Sequence, residues 1–202
     1  MNFLAIDCSG AHLTVAVVKD DKVYEYYKSD CGVKHSVSLM PEVERLLNES
    51  ALSLKTADFV AVAAGAGSFT GIRIGVATAK ALAFANGIPC LSVTSFDTLA
   101  YNVKGGRVLA VIDAGHGGYY ACGYEDYKVV FPPKYILKEE LSALSSEYRL
   151  VAGGELSGVN AEIAKVNEGL IAAAKAKAAE ATFDYDSIVP LYVRKSQAEE
   201  GR

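Results

Sequence analysis

Three histidines, four cysteines, five prolines and no tryptophan in 202 residues leave little material for several kinds of chemistry. His12, His35 and His116 stand far apart, without H-x-x-x-H or H-E-x-x-H spacing. A zinc or iron centre built by this chain alone is therefore not expected. Cys8, Cys31, Cys90 and Cys122 are scattered and form no C-x-x-C pair, so they read as buried, reduced thiols of a cytosolic protein. Long hydrophobic runs are missing too. The longest charge-free stretch, Ala81 to Phe96, has 16 residues and contains Asn86, Gly87 and Pro89. That is too short and too broken to span a bilayer. No basic region precedes the first apolar run, and Asp7 comes early, so a signal peptide is not read. A basic surplus is also absent. The net charge of −4 argues against gripping nucleic acid alone, which needs a positive footprint to neutralise phosphates. Contact through a partner stays open.

What is present is alternating α and β pattern. Phe3-Leu4-Ala5-Ile6 ends at Asp7-Cys8-Ser9-Gly10 and reads as a strand and a turn. Strands follow at 14–19 and 22–28, parted by Asp20-Asp21. Residues 35–48 place Leu39, Met40, Val43, Leu46 and Leu47 at helical spacing. A strand at 59–64 runs into Gly65-Ala66-Gly67-Ser68-Phe69-Thr70-Gly71, and a long apolar helix leaves it, ending at Gly87-Ile88-Pro89. Next come a strand at 90–93 and a helix capped by Thr94. After Lys104-Gly105-Gly106 the opening returns. Displaced by 106 residues, Ala5-Ile6-Asp7 lies over Val111-Ile112-Asp113, and Asp20 over Asp126. An ungapped register through three strands signals an internal repeat. Two related α/β halves are inferred, 1–104 and 105–202. The second continues with a helix near 138–146, a strand at 149–152 and a helical pattern to Ala181 that Gly169 interrupts. The apolar run 188–193 precedes a charged tail that reads as frayed.

A strand, a glycine turn and a helix N-terminus invite the thought of a phosphate cradle. The spacing, however, is Gly-x-Gly-x-x-x-Gly, which misses both the dinucleotide fingerprint and the P-loop. Ser68 lacks the flanking glycines of a nucleophile elbow and is better placed as a helix cap. From Gly71 to Asn86 only Arg73, Thr78, Lys80 and Asn86 are polar, so this helix requires cover on more than one side. Gly71, Gly75, Ala79 and Ala83 follow at i, i+4 and make a smooth stripe for a close neighbour. That neighbour is either the chain's own other half or another subunit. Asp7 and Asp113 each end the first strand of a half. They are candidates, with Ser9, to face a cleft and hold Mg²⁺ and a nucleotide phosphate; the alternative is a turn carboxylate bonding nearby amides.

Two halves that each open strand-Asp-turn-strand-turn-strand resemble the actin/sugar-kinase/Hsp70-like (ASKHA) fold, an α/β class with a mixed sheet flanked by helices in each half. Residues 65–75 narrow this. Gly-Ala-Gly-Ser-Phe-Thr-Gly-Ile-Arg-Ile-Gly resembles the G-P-G-S-F-T-G-L-R-I-G signature of the TsaB family, also called YeaZ, with Ala66 in place of proline. Leu4 to Ser9 is similar to its L-x-I-D-T-S opening, and Lys34 to Pro41 to R-H-S-E-x-L-L-P. Thr94 to Ala100 resembles S-S-L-x-x-L-A, and Pro190 to Arg194 resembles P-x-Y-L-R. The family's D-A-R-x-G-E-V-Y-x-A segment falls on Asp113 to Ala121, where glycines 115 and 118 replace its arginine and glutamate.

The resemblance implies a non-catalytic, cytoplasmic subunit without cofactor in the machinery that forms N6-threonylcarbamoyladenosine in tRNA. The partner would be TsaD, which carries the metal and the transfer chemistry, with TsaE in a larger complex. The same helices would also permit a homodimer, tRNA would be met only indirectly, and no membrane is involved. The implied interface comprises His35, Ser36, Leu39, Met40, Val43 and Leu47 on the first long helix. On the second it comprises Gly71, Ile72, Gly75, Thr78, Ala79, Leu82 and Ala83. Gly75→Arg would then break the pairing and leave the fold intact. The runner-up is an ATP-binding phosphotransferase using Asp7 and Asp113, for which no third carboxylate or lysine is placed as a base. A peptidase would lack both metal ligands and a nucleophile–base pair.

Overall fold

The computed structural model describes residues 1–31 and 34–194, so the reading of the charged tail falls outside the described residues. β1 (Phe3–Asp7), β2 (Leu13–Lys19) and β3 (Lys22–Lys28) form an antiparallel meander. β4 (Phe59–Ala63) and β5 (Cys90–Val93) extend it in parallel beyond β1, giving the order β3-β2-β1-β4-β5. The second sheet repeats this. β6 (Arg107–Gly115), β7 (Gly118–Glu125) and β8 (Lys128–Leu137) make the meander, and β9 (Arg149–Ala152) and β10 (Glu162–Ile163) add in parallel on the other side of β6.

The likeness reaches single residues. Asp20 and Asp21 have φ of 49° and 62°; Asp126 and Tyr127, at the same offset, have 48° and 66°. Two successive left-handed residues give a primed hairpin turn, whose twist matches that of the strands it joins. Asp7 accepts the Ser9 amide at 2.7 Å, and Asp113 accepts the Gly115 amide at 2.7 Å. Short acidic side chains close both turns in the same way. Two mixed five-stranded sheets of one topology, flanked by helices, make this the ASKHA fold.

Alternation along the strands sends residues to opposite faces, and both faces are covered. Leu4, Ile6, Val15, Val17, Val60 and Val62 meet α1 (His35–Ser50) and α2 (Phe69–Asn86). The opposite face, with Phe3, Ala5, Phe59, Ala61 and Leu91, meets Leu170, Ile171, Ala173 and Ala174. Those four residues lie on α5 (Val166–Ala176), so a helix from late in the chain closes the back of the first sheet. The second sheet packs on α3 (Ser95–Ala100) through Val108, Ala110, Tyr124 and Val151. Its outer face packs on α4 (Lys138–Leu144) through Leu141.

Gly169 does not interrupt α5, contrary to the reading from sequence. A Cβ there would run into the Thr98 carbonyl oxygen, so glycine lets α5 lie backbone to backbone on α3. A buried charge reinforces the same junction. Asp97, 1% exposed, completes the capping box with Thr94, accepts Tyr124 Oη at 3.0 Å and accepts Lys177 Nζ at 2.9 Å. Both of its oxygens have donors, the condition under which a carboxylate is tolerated in a core.

Candidate functional site

The glycine turn is filled by the protein itself. Ser68 caps α2 by accepting the Gly71 amide at 3.2 Å. The Ser68 amide goes to the Ser9 carbonyl at 2.6 Å, and the Ile72 amide to the Ser68 carbonyl at 2.9 Å. Gly65 receives the Ser95 amide at 2.6 Å, and Ala64 receives the Leu191 amide at 2.7 Å. Tyr192 then stacks on Phe69 at 4.7 Å and accepts Arg73 Nε at 2.7 Å. The Ser68, Gly71 and Ile72 amides are thus already bonded within the chain, which leaves fewer donors for a phosphate than an open cradle offers.

The small-residue stripe points inward. A Cβ on Gly71 would strike the Cys8 carbonyl oxygen, and one on Gly75 would stand 3.5 Å from Val62 Cγ2 and 3.7 Å from Cys8 Cβ. Ala79 and Ala83 are fully buried on the same face. The clearance is for β1 and β4 of the sheet in the same half, where the sequence had offered the chain's other half or another subunit as the neighbour. His35, Leu39, Val43 and Ile72 are buried in that core as well. Of the residues expected at an interface, Ser36 and Met40 are exposed, and Leu47, Thr78 and Leu82 are half-buried. A different surface stands outward. Arg73, Ala77, Ala81 and Ala85 repeat at i, i+4 on the exposed side of α2, beside Phe84, which is 73% exposed. Val37 and Met40 of α1 add to the exposed apolar side chains of this helix layer.

The second feature is a cleft of about 460 Å³ at the carboxyl ends of β1 and β6. Asp113 and Ser9 line it, as expected; Asp7 does not. The Asp7 side chain is fully buried, and His12 Nε2, 3.2 Å from its Oδ2, stands at the wall of the cleft in its place. Sequence reasoning set His12 aside because no other histidine lies near it. The β1–β2 pairing folds the chain back on itself, and the five-residue step to Asp7 across that turn was the available signal. His35, at the start of α1, donates Nε2 to the His12 carbonyl at 2.8 Å and so fixes the turn from the other side. Among the described residues no three His, Cys, Asp or Glu side chains converge as a metal-holding group, and no helix is long and apolar enough to cross a membrane.

Burial opposes both charges of the Asp7–His12 pair, but each is held by the other. Against that burial, the His12 charge 3.2 Å away and the bond from the Ser9 amide bring the Asp7 carboxyl below its ordinary value. Against the same penalty, Asp7 brings the His12 imidazole above its own. The His12 contribution to stability is fully present below pH 6.5, its unperturbed value, and is lost as pH rises through the raised folded-state value. The Asp7 contribution is present above pH 3.8 and is lost as pH falls through its lowered value. His12→Asn should therefore be less stable than the parent near pH 5.5, and the gap should narrow as pH rises into the alkaline range. Urea unfolding of both proteins across that range tests this, and two parallel curves would refute it.

Comparison with known proteins places these features in a family. The family described as TsaD, tRNA N6-adenosine threonylcarbamoyltransferase, matches residues 29–131. The chain is 39% identical over 130 residues to the Bacillus subtilis tRNA threonylcarbamoyladenosine biosynthesis protein TsaB, covering 63% of this chain and 56% of that protein. It is 33% identical over 168 residues to the Escherichia coli TsaB, covering 76% of this chain and 72% of that one. Among solved structures, YeaZ from Pseudomonas aeruginosa superposes with a TM-score of 0.75 at 24% identity, over 95% of this chain and 99% of the other. At that identity the superposition speaks for the fold.

Proposed function

This chain belongs to the TsaB (YeaZ) family, and from that premise we propose that it serves the formation of N6-threonylcarbamoyladenosine in tRNA as a non-catalytic subunit. In this reading it docks TsaD in the cytoplasm through the outer faces of α1 and α2 and supports it, with TsaE joining a larger complex. A second copy of the chain is the alternative occupant of the same face. We keep the division into halves 1–104 and 105–202, the first carrying the docking helices.

The observation that carries this reading is the outer face of α2. A helix with alanine at 77, 81 and 85 and a 73%-exposed Phe84 leaves apolar surface uncovered, flat enough for another helix to approach closely. Inward-facing members of the expected set, Gly71, Gly75, Ala79 and Ala83 among them, act by holding α2 on its sheet. Those in reach of a partner are Ser36, Met40, Leu47, Thr78 and Leu82. The phosphotransferase reading is disfavoured because Asp7 is occupied by His12 and the Ser9 amide.

The test is co-expression with the cognate TsaD, followed by size-exclusion and a tRNA modification assay in which each subunit is left out in turn. The expected result is co-elution and loss of modification without this chain. Full modification in its absence would overturn the proposal.

A further inference from the structure

The apolar face of α2 does not end at the helix. Tyr185 meets its C-terminal end, with its ring edge-on to Phe84 at 5.7 Å between centroids and its hydroxyl donating to the Ile88 carbonyl at 2.9 Å. Tyr192 meets the first turns, stacked on Phe69 and bonded to Arg73. From Phe69 to Phe84 the helix rises about 22 Å. The chain from Tyr185 to Tyr192 reaches at most about 25 Å. Residues 185–192 therefore lie nearly straight along one flank of α2 and antiparallel to it, with Ile188 anchored in the core they share.

This strap carries apolar surface of its own. Phe183 is 63% exposed, Val189 59% and Tyr192 39%. Phe183 adjoins the α2 surface through Tyr185: its carbonyl accepts the Tyr185 amide at 3.0 Å, and Tyr185 rests on the exposed Phe84. Arg73, the charged side chain at this border, is folded down, with its guanidinium 3.7 Å above the Phe69 ring.

The area required makes this surface significant. A stable, specific interface buries about 800 Å² on each partner. Ala77, Ala81, Ala85 and Phe84 fall well short of that, because even a wholly buried aromatic side chain contributes about 150–250 Å². Val37 and Met40 of α1 narrow the deficit, and the strap adds apolar area that adjoins α2 directly.

We propose that residues 183–192 form a second part of the docking surface, so that TsaD closes over the outer side of α2 and over Phe183, Val189 and Tyr192 beside it. This rests on the docking reading above and adds an element to it from the far end of the chain.

Calorimetric titration of TsaD with the whole chain tests the proposal. Phe183→Ser with Val189→Ser should weaken binding by about tenfold to 100-fold. Both side chains are exposed, so the melting temperature of the free variant should not change. Phe183→Ser alone should weaken binding by about fivefold. Val129→Ser with Val130→Ser, an exposed apolar pair on β8 of the second sheet, should leave binding unchanged. Parental affinity in the Phe183 and Val189 variants, while Ala81→Arg on α2 still weakens binding, would overturn this proposal alone. Equal loss in the β8 pair would overturn it too. So would sedimentation showing that the strap variants abolish a homodimer while TsaD binding is kept, which would give the strap to a second copy of the chain. No association of the parent with TsaD would overturn the docking reading and this one together.

Discussion

Gly71→Ala is expected to destabilise the chain by about 3 kcal/mol, lowering the melting temperature by about 10 °C. The added Cβ would meet the Cys8 carbonyl oxygen, and neither partner can retreat. Cys8 follows directly on β1, and the next carbonyl, Ser9, is bonded to the Ser68 amide at 2.6 Å. On the other side, α2 is fixed by its cap and by Ile72 and Val76 in the core. One turn later the outcome reverses. Gly75→Ala would place its Cβ 3.5 Å from Val62 Cγ2, an ordinary contact, while removing glycine from a helix interior gains about 1 kcal/mol. Gly75→Ala should therefore be neutral or slightly stabilising. Thermal and urea unfolding of the two variants checks the pair of results, and equal stabilities would show that α2 does not sit on β1 as described.

In the proposed complex, Ala81→Arg should weaken docking to TsaD by about 100-fold or more, which is about 2.7 kcal/mol, without a change in melting temperature. Ala81 is exposed on the outer side of α2, so an arginine there extends into solvent in the free chain. In a complex through this face it must either be buried unpaired or hold the helices apart, and both are costly. Gly75→Arg, which the sequence proposed for this purpose, is the wrong variant: its side chain would be driven against Val62 and Cys8, and the fold would be lost along with the partner. Size-exclusion of each variant with TsaD, beside a circular-dichroism melt of the variant alone, separates the two mechanisms. Co-elution of Ala81→Arg at parental strength would remove α2 from the interface.

Much of this was legible because it is local. Apolar alternation placed the strands, helical spacing placed α1 and α2, and Ser68 and Thr94 announced the starts of α2 and α3. The 106-residue offset foretold matching turns at Asp20 and Asp126. What could not be read was direction. A stripe of Gly71, Gly75, Ala79 and Ala83 says that something comes close, but the same pattern serves a partner's helix or the chain's own sheet. Only the path of β1 beneath α2 decides between them. Contacts across long separations were equally hidden: Asp97 and Lys177 lie 80 residues apart, and the capping-box spacing that marks Asp97 says nothing of Lys177. At the cleft, the sequence left two readings of Asp7 open, a ligand facing the cleft or a turn carboxylate bonding nearby amides, and it is the second that the Ser9 amide meets. The turn that turns His12 back onto Asp7 depends on strand register, which composition does not encode.

The crossing of α5 has a consequence for inheritance. The two sheets repeat one topology, yet the helix that closes the back of the first sheet is encoded after the strands of the second. A recombination event that carried off either half would leave Phe3, Phe59 and Leu91 bare on one product and Leu170 and Ile171 bare on the other. The repeat therefore no longer behaves as two exchangeable modules. It is passed on whole.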